Sequence, residues 1–409
     1  MIKIKVLENN YTAALGKYKT ELKSELEEIL QYWVHYVVDE KQGGFFGAVS
    51  TDNLADPDAM KGVVLNSRIC WAFSAASRYS HNKNCGEIAA RAFNYICENF
   101  IDKEYGGVFW SVDSNGKMLN SKKQIYGLAF CIYGMVEYYK VTGNEAALRL
   151  SKEIFDCIEK YSFDKVNDGY TEAFTREWEP IEDLRLSVND SNEKKTMNTH
   201  LHIIEAYVNL YQVWPDTLLK EKIAGLLHIF EKYILNKLNG HLHLFMTDDW
   251  EVKSSVQSFG HDIEASWLLV ECAEISGNEL YIGRYKKIAL ELADASMKAL
   301  DKDGGLWYEY DPAIDHWVKE KHSWPQAEAM VGFFNAYQLS GDEKYLHQSL
   351  NSWQFVKKYI RDTKHGEWFW GIREDYSIMQ KDKAGFWKCP YHNIRACLEI
   401  INRIDKQME

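Results

Sequence analysis

The run Ser258-Phe-Gly-His-Asp-Ile-Glu-Ala-Ser-Trp267 opens a helical pattern with a histidine and a carboxylate one turn apart, so His261 and Glu264 share a face. Four other apolar helical stretches begin with groups that a buried helix does not need: Arg68, the pair Asn198 and His202, Glu328, and the pair His392 and Arg395. Burying such groups is unfavourable unless they are paired or functional. Three histidines with two carboxylates suit proton transfer at carbon. Imidazole takes or gives a proton near neutral pH, and a carboxylate can fix its tautomer and raise its basicity. An arginine beside them can hold the oxygens of a developing enediolate. Trp324, Trp387, Trp307 and Tyr126 offer flat faces on which a sugar stacks, or edges to which it bonds.

Other chemistries fit these residues less well. Glycoside hydrolysis by Glu264 and Glu328 is the main competitor, since two carboxylates about 5 to 9 Å apart cleave sugars. A hydrolase, however, has no need of three histidines at the same place. A zinc site from His200 and His202 with His261 and His392 is disfavoured, because two positions on a helix differ by about 200° and the rings point apart. No metal is therefore expected. His202 is placed inward, because Asn198 lies one turn before it, and His200 outward. His241 and His243 alternate as in a strand and read as structural or rim-lining.

What positions these residues is a repeat. A glycine turn followed by aromatic and small residues recurs at Gly43, Gly106, Gly169, Gly240, Gly304 and Gly366, at intervals of 62 to 71 residues. That spacing accommodates two helices per unit. After each turn comes a loop and a helix that is apolar nearly all round, and such a helix is buried on several sides. Between these lie helices with one charged face, often after Gly-Asn or Gly-Asp. Six buried helices ringed by six amphipathic ones make an all-α fold, an (α/α)6 barrel, with short β-hairpins or loops walling one mouth. The inner helices all point the same way, so polar residues at their N-terminal ends converge there. No linker or low-complexity run divides the chain, and residues 1–409 are read as a single catalytic domain.

With 46% hydrophobic and 26% charged residues the composition is that of a globular protein with an ample core. The net charge of −12 disfavours nucleic acid and anionic membrane surfaces as partners. Charges in the first ten residues and the lack of a long apolar run point away from a signal peptide or membrane span, so a cytoplasmic protein is expected. The eight scattered cysteines read as reduced, buried hydrophobes. No interface stripe is evident, so a monomer is expected, with a homodimer as the alternative.

Five runs, taken in order, carry a resemblance. Leu65-Asn-Ser-Arg-Ile69, Lys195-Thr-Met-Asn-Thr-His-Leu-His202, Gly260-His-Asp-Ile-Glu-Ala-Ser-Trp267, Trp324-Pro-Gln-Ala-Glu328 and Trp387-Lys-Cys-Pro-Tyr-His-Asn393 are similar to motifs of the N-acylglucosamine 2-epimerase superfamily, and within it of the cellobiose 2-epimerases. The resemblance implies an (α/α)6 barrel that works without cofactor or metal. It implies a disaccharide substrate, β-1,4-linked, whose reducing-end sugar is inverted at C2 through a cis-enediolate. It implies His261 and His392 as the two acid/base residues, His202 as a stabiliser of the enediolate and of ring opening, Arg68 as its electrostatic partner, and Glu264 as the group orienting the base. Tyr126, Asn198, Glu328, Trp324 and Trp387 resemble sugar-binding positions. Ser323 stands where many relatives carry a second tryptophan. Related outcomes on the same barrel are a mannobiose, mannose or N-acylglucosamine 2-epimerase, an aldose–ketose isomerase, or a non-catalytic sugar-binding protein.

Overall fold

The computed structural model describes residues 2–408, and the side chains of residues 12–407. The charged first ten residues, on which the reading of the N-terminus rests, have side chains outside the described ones, and residues 1 and 409 of the single-domain reading also lie outside them.

Twelve helices alternate between two rings among the described residues. The inner ring is α2 (Val63–Ser80), α4 (Ile125–Thr142), α6 (Met197–Tyr211), α8 (Phe259–Ser276), α10 (Ser323–Ser340) and α12 (Tyr391–Met408). Each packs against the next, and α12 packs back on α2, which closes the circle. The outer helices are α1 (Ile2–Tyr32), α3 (Lys83–Asn99), α5 (Glu145–Cys157), α7 (Thr217–Ile229), α9 (Glu279–Met297) and α11 (Glu343–Phe355). The expected barrel is the fold observed. Sequence explains the assignment to rings. From Val63 to Ser77 every residue of α2 is buried, whereas α3 buries one stripe, including Cys85, Ile88, Ala89, Ala92, Phe93 and Ile96, at helical spacing.

The turns from inner to outer helix are written in pairs of residues. Gly143, Gly277 and Gly341 end their inner helices in the left-handed conformation at φ of 66°, 69° and 71°. The next residue, Asn144, Asn278 or Asp342, caps the outer helix with its side chain. In the first repeat His81 takes the glycine's place at φ 54°, followed by Asn82 as cap.

At the other end, short strand pairs lace the mouth from one repeat to the next. Lys61–Gly62 pairs with Ser111–Val112, Lys123–Gln124 with Ala173–Phe174, Lys195–Thr196 with Phe245–Met246, Gln257–Ser258 with Glu309–Asp311, and Lys321–His322 with Gly371–Ile372. The bridge between Val49 and Ala384 closes this collar. Each inner helix but the last thus starts directly from a paired strand, which fixes the direction of its first turn.

Beneath five of the six glycine turns lies a buried ion pair. Lys61 holds Asp39 at 2.8 Å, Lys123 Asp102 at 2.8 Å, Lys195 Asp164 at 2.9 Å, Lys321 Asp301 at 2.7 Å, and Lys383 Asp362 at 2.6 Å. In four of them the lysine also bonds a carbonyl of the turn, that of Gly43, Gly106, Asp168 or Gly366. The fourth repeat replaces both partners at once, with Asn236 and Gln257. A buried charge without its partner is costly, whereas a neutral pair is not.

Candidate active site

The mouth is built in two tiers, and helix geometry accounts for both. Counting from the first residue of each inner helix, Tyr126, Asn198, Trp324 and His392 stand at position two and His261 at position three. Arg68, His202, Glu264 and Glu328 stand at position six, with Arg395 at position five. Four residues make one turn, so the second tier lies about 6 Å below the first on the same faces. Asn198, His261, Trp324 and His392 of the upper tier are partly exposed, as is Trp387 in the loop before α12, while the lower tier is buried.

The lower tier is one hydrogen-bonded cluster centred on Arg395. One guanidinium nitrogen donates to Glu264 at 2.6 Å and to Glu328 at 2.7 Å, and the other to Glu205 at 2.5 Å. The Tyr391 hydroxyl also donates to Glu205, at 2.5 Å. Burial pushes all three carboxyls up, and the pairing decides which stay charged. Arg395 and His392 hold Glu328 well below the usual range, and Arg395 and His202 hold Glu205 below it. Glu264 is left raised, first by burial and then by the charge on Glu328. Of the three carboxyls, Glu264 is therefore the one whose protonated form the cluster favours.

Each histidine is anchored through Nδ1. His392 Nδ1 bonds Glu328 at 2.6 Å, His202 Nδ1 bonds Glu205 at 2.9 Å, and His261 Nδ1 bonds the Ser258 hydroxyl at 2.8 Å. No Nε2 of the three has a partner among the described residues. A carboxylate only accepts, so it fixes N–H at Nδ1 and leaves a lone pair at Nε2 of His202 and His392. Burial disfavours the charged rings of His261 and His392, with both pushed down to about 3.

Trp324 joins the two. Its ring centre lies 4.8 Å from that of His261 and 5.5 Å from that of His392. The helices carrying these histidines, α8 and α12, flank the α10 that carries Trp324. Gly260 makes room for it, since a Cβ there would meet Trp324 Cη2 at 2.5 Å. On the opposite wall Arg68 donates to the Tyr126 hydroxyl at 2.7 Å and lies over Phe130 at 4.1 Å. Tyr126 in turn stands edge-on to His202 and beside Trp387, at 5.1 and 6.1 Å. The buried Nε of Arg68 makes no hydrogen bond among the described residues.

Two expectations are corrected. Glu264 does not stand behind His261: helix α8 turns it toward Arg395, and Ser258 takes the histidine's nitrogen instead. Trp307 does not belong to the site. It packs edge-on against Trp317 at 5.2 Å and reaches Asp301, while its neighbour Tyr308, on the other face of the extended segment, stands against Trp324 at 6.4 Å. Glu328, assigned to sugar binding on resemblance, lies against His392. His200 points outward as expected: its Nδ1 bonds the Thr196 carbonyl at 2.7 Å, and its Nε2 accepts from the Tyr170 amide. His241 is tied to Asp262 at 2.7 Å.

Glu205 and Tyr391 were missed. The signal for Glu205 was present, because His202-Ile-Ile-Glu205 repeats the spacing noticed at His261-Asp-Ile-Glu264, and His392-Asn-Ile-Arg395 supplies the opposite charge at the same offset. The carboxylates of Glu264 and Glu328 with His392 bring ligand atoms within 4.8 Å of one another, a metal-like grouping. Arg395 is bonded to both carboxylates, however, and its charge repels a cation there. The guanidinium bridging the two acids also stands where a glycosidic bond between them would have to lie.

A helical barrel whose mouth combines tryptophans with histidines anchored for proton transfer defines a carbohydrate-active enzyme of the isomerase type. Residues 44–396 match the family description "N-acylglucosamine 2-epimerase (GlcNAc 2-epimerase)". The cellobiose 2-epimerase of Bacteroides fragilis is 45% identical over 94% of this chain and 98% of its own. The structure of cellobiose 2-epimerase from Bacillus thermoamylovorans superposes with a TM-score of 0.91 at 38% identity, covering 95% of this chain and all of that one. That of Spirochaeta thermophila gives 0.89 at 36%, over 97% and 98%. The chain belongs to the N-acylglucosamine 2-epimerase family, and it is a carbohydrate epimerase. Among the described residues no helix is long and apolar enough to cross a membrane.

Proposed function

We propose that the chain, acting as one cytoplasmic catalytic domain, is a cofactor-independent 2-epimerase of β-1,4-linked disaccharides, converting cellobiose to 4-O-β-D-glucosyl-D-mannose. The observation that carries the reading is the pair of histidines against Trp324, each with Nδ1 anchored and Nε2 free. The reducing-end sugar stacks on Trp324 and Trp387, Asn198 binds a hydroxyl, and the ring opens to the aldehyde. One histidine takes the C2 proton at Nε2, and electrons move toward the aldehyde oxygen to give a cis-enediolate. His202 and Arg68 hold its oxygens. The other histidine, carrying a proton, returns it to C2 from the opposite face. Each turnover moves one proton from histidine to histidine, and solvent resets the pair.

Glu328 and Glu264 act from behind, the first through His392 and the second through Arg395. Incubation with cellobiose in D2O, followed by NMR, tests the proposal. Deuterium at C2 of a glucosyl-mannose product is expected. Release of glucose, or no change in cellobiose, mannobiose or mannose, would overturn it.

A further inference from the structure

The two histidines assigned to proton transfer are backed by different chemistry. His392 has a carboxylate at Nδ1, and His261 has the hydroxyl of Ser258. Ser258 is buried in the collar, where its strand pairs with Glu309, and it is the residue immediately before α8. A serine there ordinarily accepts from a free amide of the first turn. Here its side chain makes no such cap, and the hydroxyl is committed to His261.

Carboxylates are near in sequence but occupied. Asp262 bonds His241 and the Leu242 amide, and Glu264 bonds Arg395. The titratable groups facing His261 from other elements are His202 on α6, His392 on α12 and Glu328 on α10, and Glu328 is committed to His392 and Arg395.

We propose that Ser258 is a positioning residue that makes the two proton-transfer histidines deliberately unequal, with His261 the weaker base and stronger acid of the pair. The inference rests on the epimerase reading above. A hydroxyl both donates and accepts, so it holds the His261 ring in place with either a lone pair or N–H at Nε2. When His261 takes the C2 proton, its Nδ1–H donates to Ser258 Oγ; when it gives that proton up, the ring returns to neutral and the serine keeps its own proton. Without a carboxylate behind it, the imidazolium is less stabilised than at His392 and gives its proton back more readily. When His392 takes the C2 proton, the enediolate is reprotonated by the stronger acid, His261, from the opposite face, so in that direction the inequality favours inversion over return.

The test compares Ser258→Thr, Ser258→Ala and Ser258→Asp with wild type, by steady-state epimerisation across pH and by deuterium incorporation. Ser258→Thr keeps the hydroxyl and is expected within about threefold of wild type. Ser258→Ala is expected to lower kcat about tenfold with KM within about twofold, as the loss of one orienting hydrogen bond. Ser258→Asp turns His261 into a carboxylate-backed ring, and the acid limb of kcat/KM is expected to move up by about one pH unit or more. Wild-type kcat and pH profile in Ser258→Ala, or a Ser258→Thr as slow as Ala, would overturn the assignment. If the aspartate does not fold, the Ala and Thr variants decide alone. Absence of deuterium incorporation in wild type would instead overturn the epimerase reading itself.

Discussion

Replacing Glu328 by Gln separates two roles for this residue: the sugar-binding role that resemblance implies and the histidine-backing role that the geometry favours. Glu328 Oε1 accepts from His392 Nδ1 at 2.6 Å and from Arg395 at 2.7 Å, and its Oε2 accepts from the Trp267 indole at 3.0 Å. A glutamine has one acceptor oxygen and one NH2 for these three donors. With the oxygen toward His392, the NH2 faces the indole N–H, and the imidazole loses a charge-assisted bond for a neutral one. That difference is about 1–2 kcal/mol, or roughly one pKa unit of basicity at His392. With the amide turned round, NH2 faces Nδ1, which must then accept, and the proton moves to Nε2 where a lone pair is needed. Loss of tautomer in a triad of this kind lowers turnover about 10⁴-fold. The expectation is therefore a fall in kcat of about 10²- to 10⁴-fold with KM within about threefold. Stability changes little, because the charge on Glu328 is one cause of the raised Glu264 carboxyl, and Glu264 can ionise against Arg395 once it is gone. Steady-state kinetics with a thermal melt checks both. A variant with unchanged kcat and KM raised more than tenfold would refute the reasoning and return Glu328 to sugar binding.

Two further outcomes follow from the buried polar groups. Burial pushes His200 down to about 4, so it stays neutral in the fold while its unfolded counterpart takes a proton below about 6.5. Its contribution to stability is full above that pH and falls by about 1.4 kcal/mol per unit as pH drops toward 4, about 3 kcal/mol in all. Buried Glu25 and Glu172, raised to about 7 by desolvation, work the other way, contributing at low pH and losing it as pH rises through about 7. The His200 part is therefore read as the difference in slope between wild type and His200→Gln in urea denaturation from pH 7 to 5, and parallel slopes would refute it. In the collar, Lys61→Gln leaves Asp39 buried without its cation and is expected to cost about 3–5 kcal/mol. Adding Asp39→Asn, which reproduces the Asn236 and Gln257 of the fourth repeat, is expected to recover about 2 kcal/mol or more; a strictly additive double variant would refute the coupling.

The fold was legible because its signals are local and repeated. Six glycine turns, Gly-Asn connections and helices apolar all round dictate a closed double ring, and the residues at the mouth follow from helix position alone. Partnerships were less legible. Spacing of three puts His261 and Glu264 on one face, but which of several nearby donors a glutamate meets depends on the neighbouring helices. Here α12 presents Arg395 to three carboxylates, and a guanidinium with five donors in a plane outcompetes a single imidazole. Trp307 was misjudged for a simpler reason. In an extended segment adjacent side chains face opposite ways, and the register that turns Tyr308 inward is set by pairing on both sides, with Val318 and its neighbours and with the strand before α8.

The same competition explains how so many charges sit together at the floor of the mouth. Pairing favours the ionised forms of Glu205 and Glu328 and burial the protonated form of Glu264, and against them stand Arg68 and Arg395. Two cations then meet two anions, and burial favours the neutral form of His202 beside them. A floor with no net charge neither repels an uncharged sugar nor attracts a competing anion. When C2 loses its proton, the negative charge that appears on the substrate is matched by the imidazolium formed in the same step. The balance depends on Glu264 keeping its proton, which burial favours first and the charge on Glu328 second. Glu264 thus need not touch His261 to matter: by taking up the surplus proton of the cluster it leaves Glu328 fully charged behind His392, and that charge is what keeps the lone pair of His392 directed at the sugar.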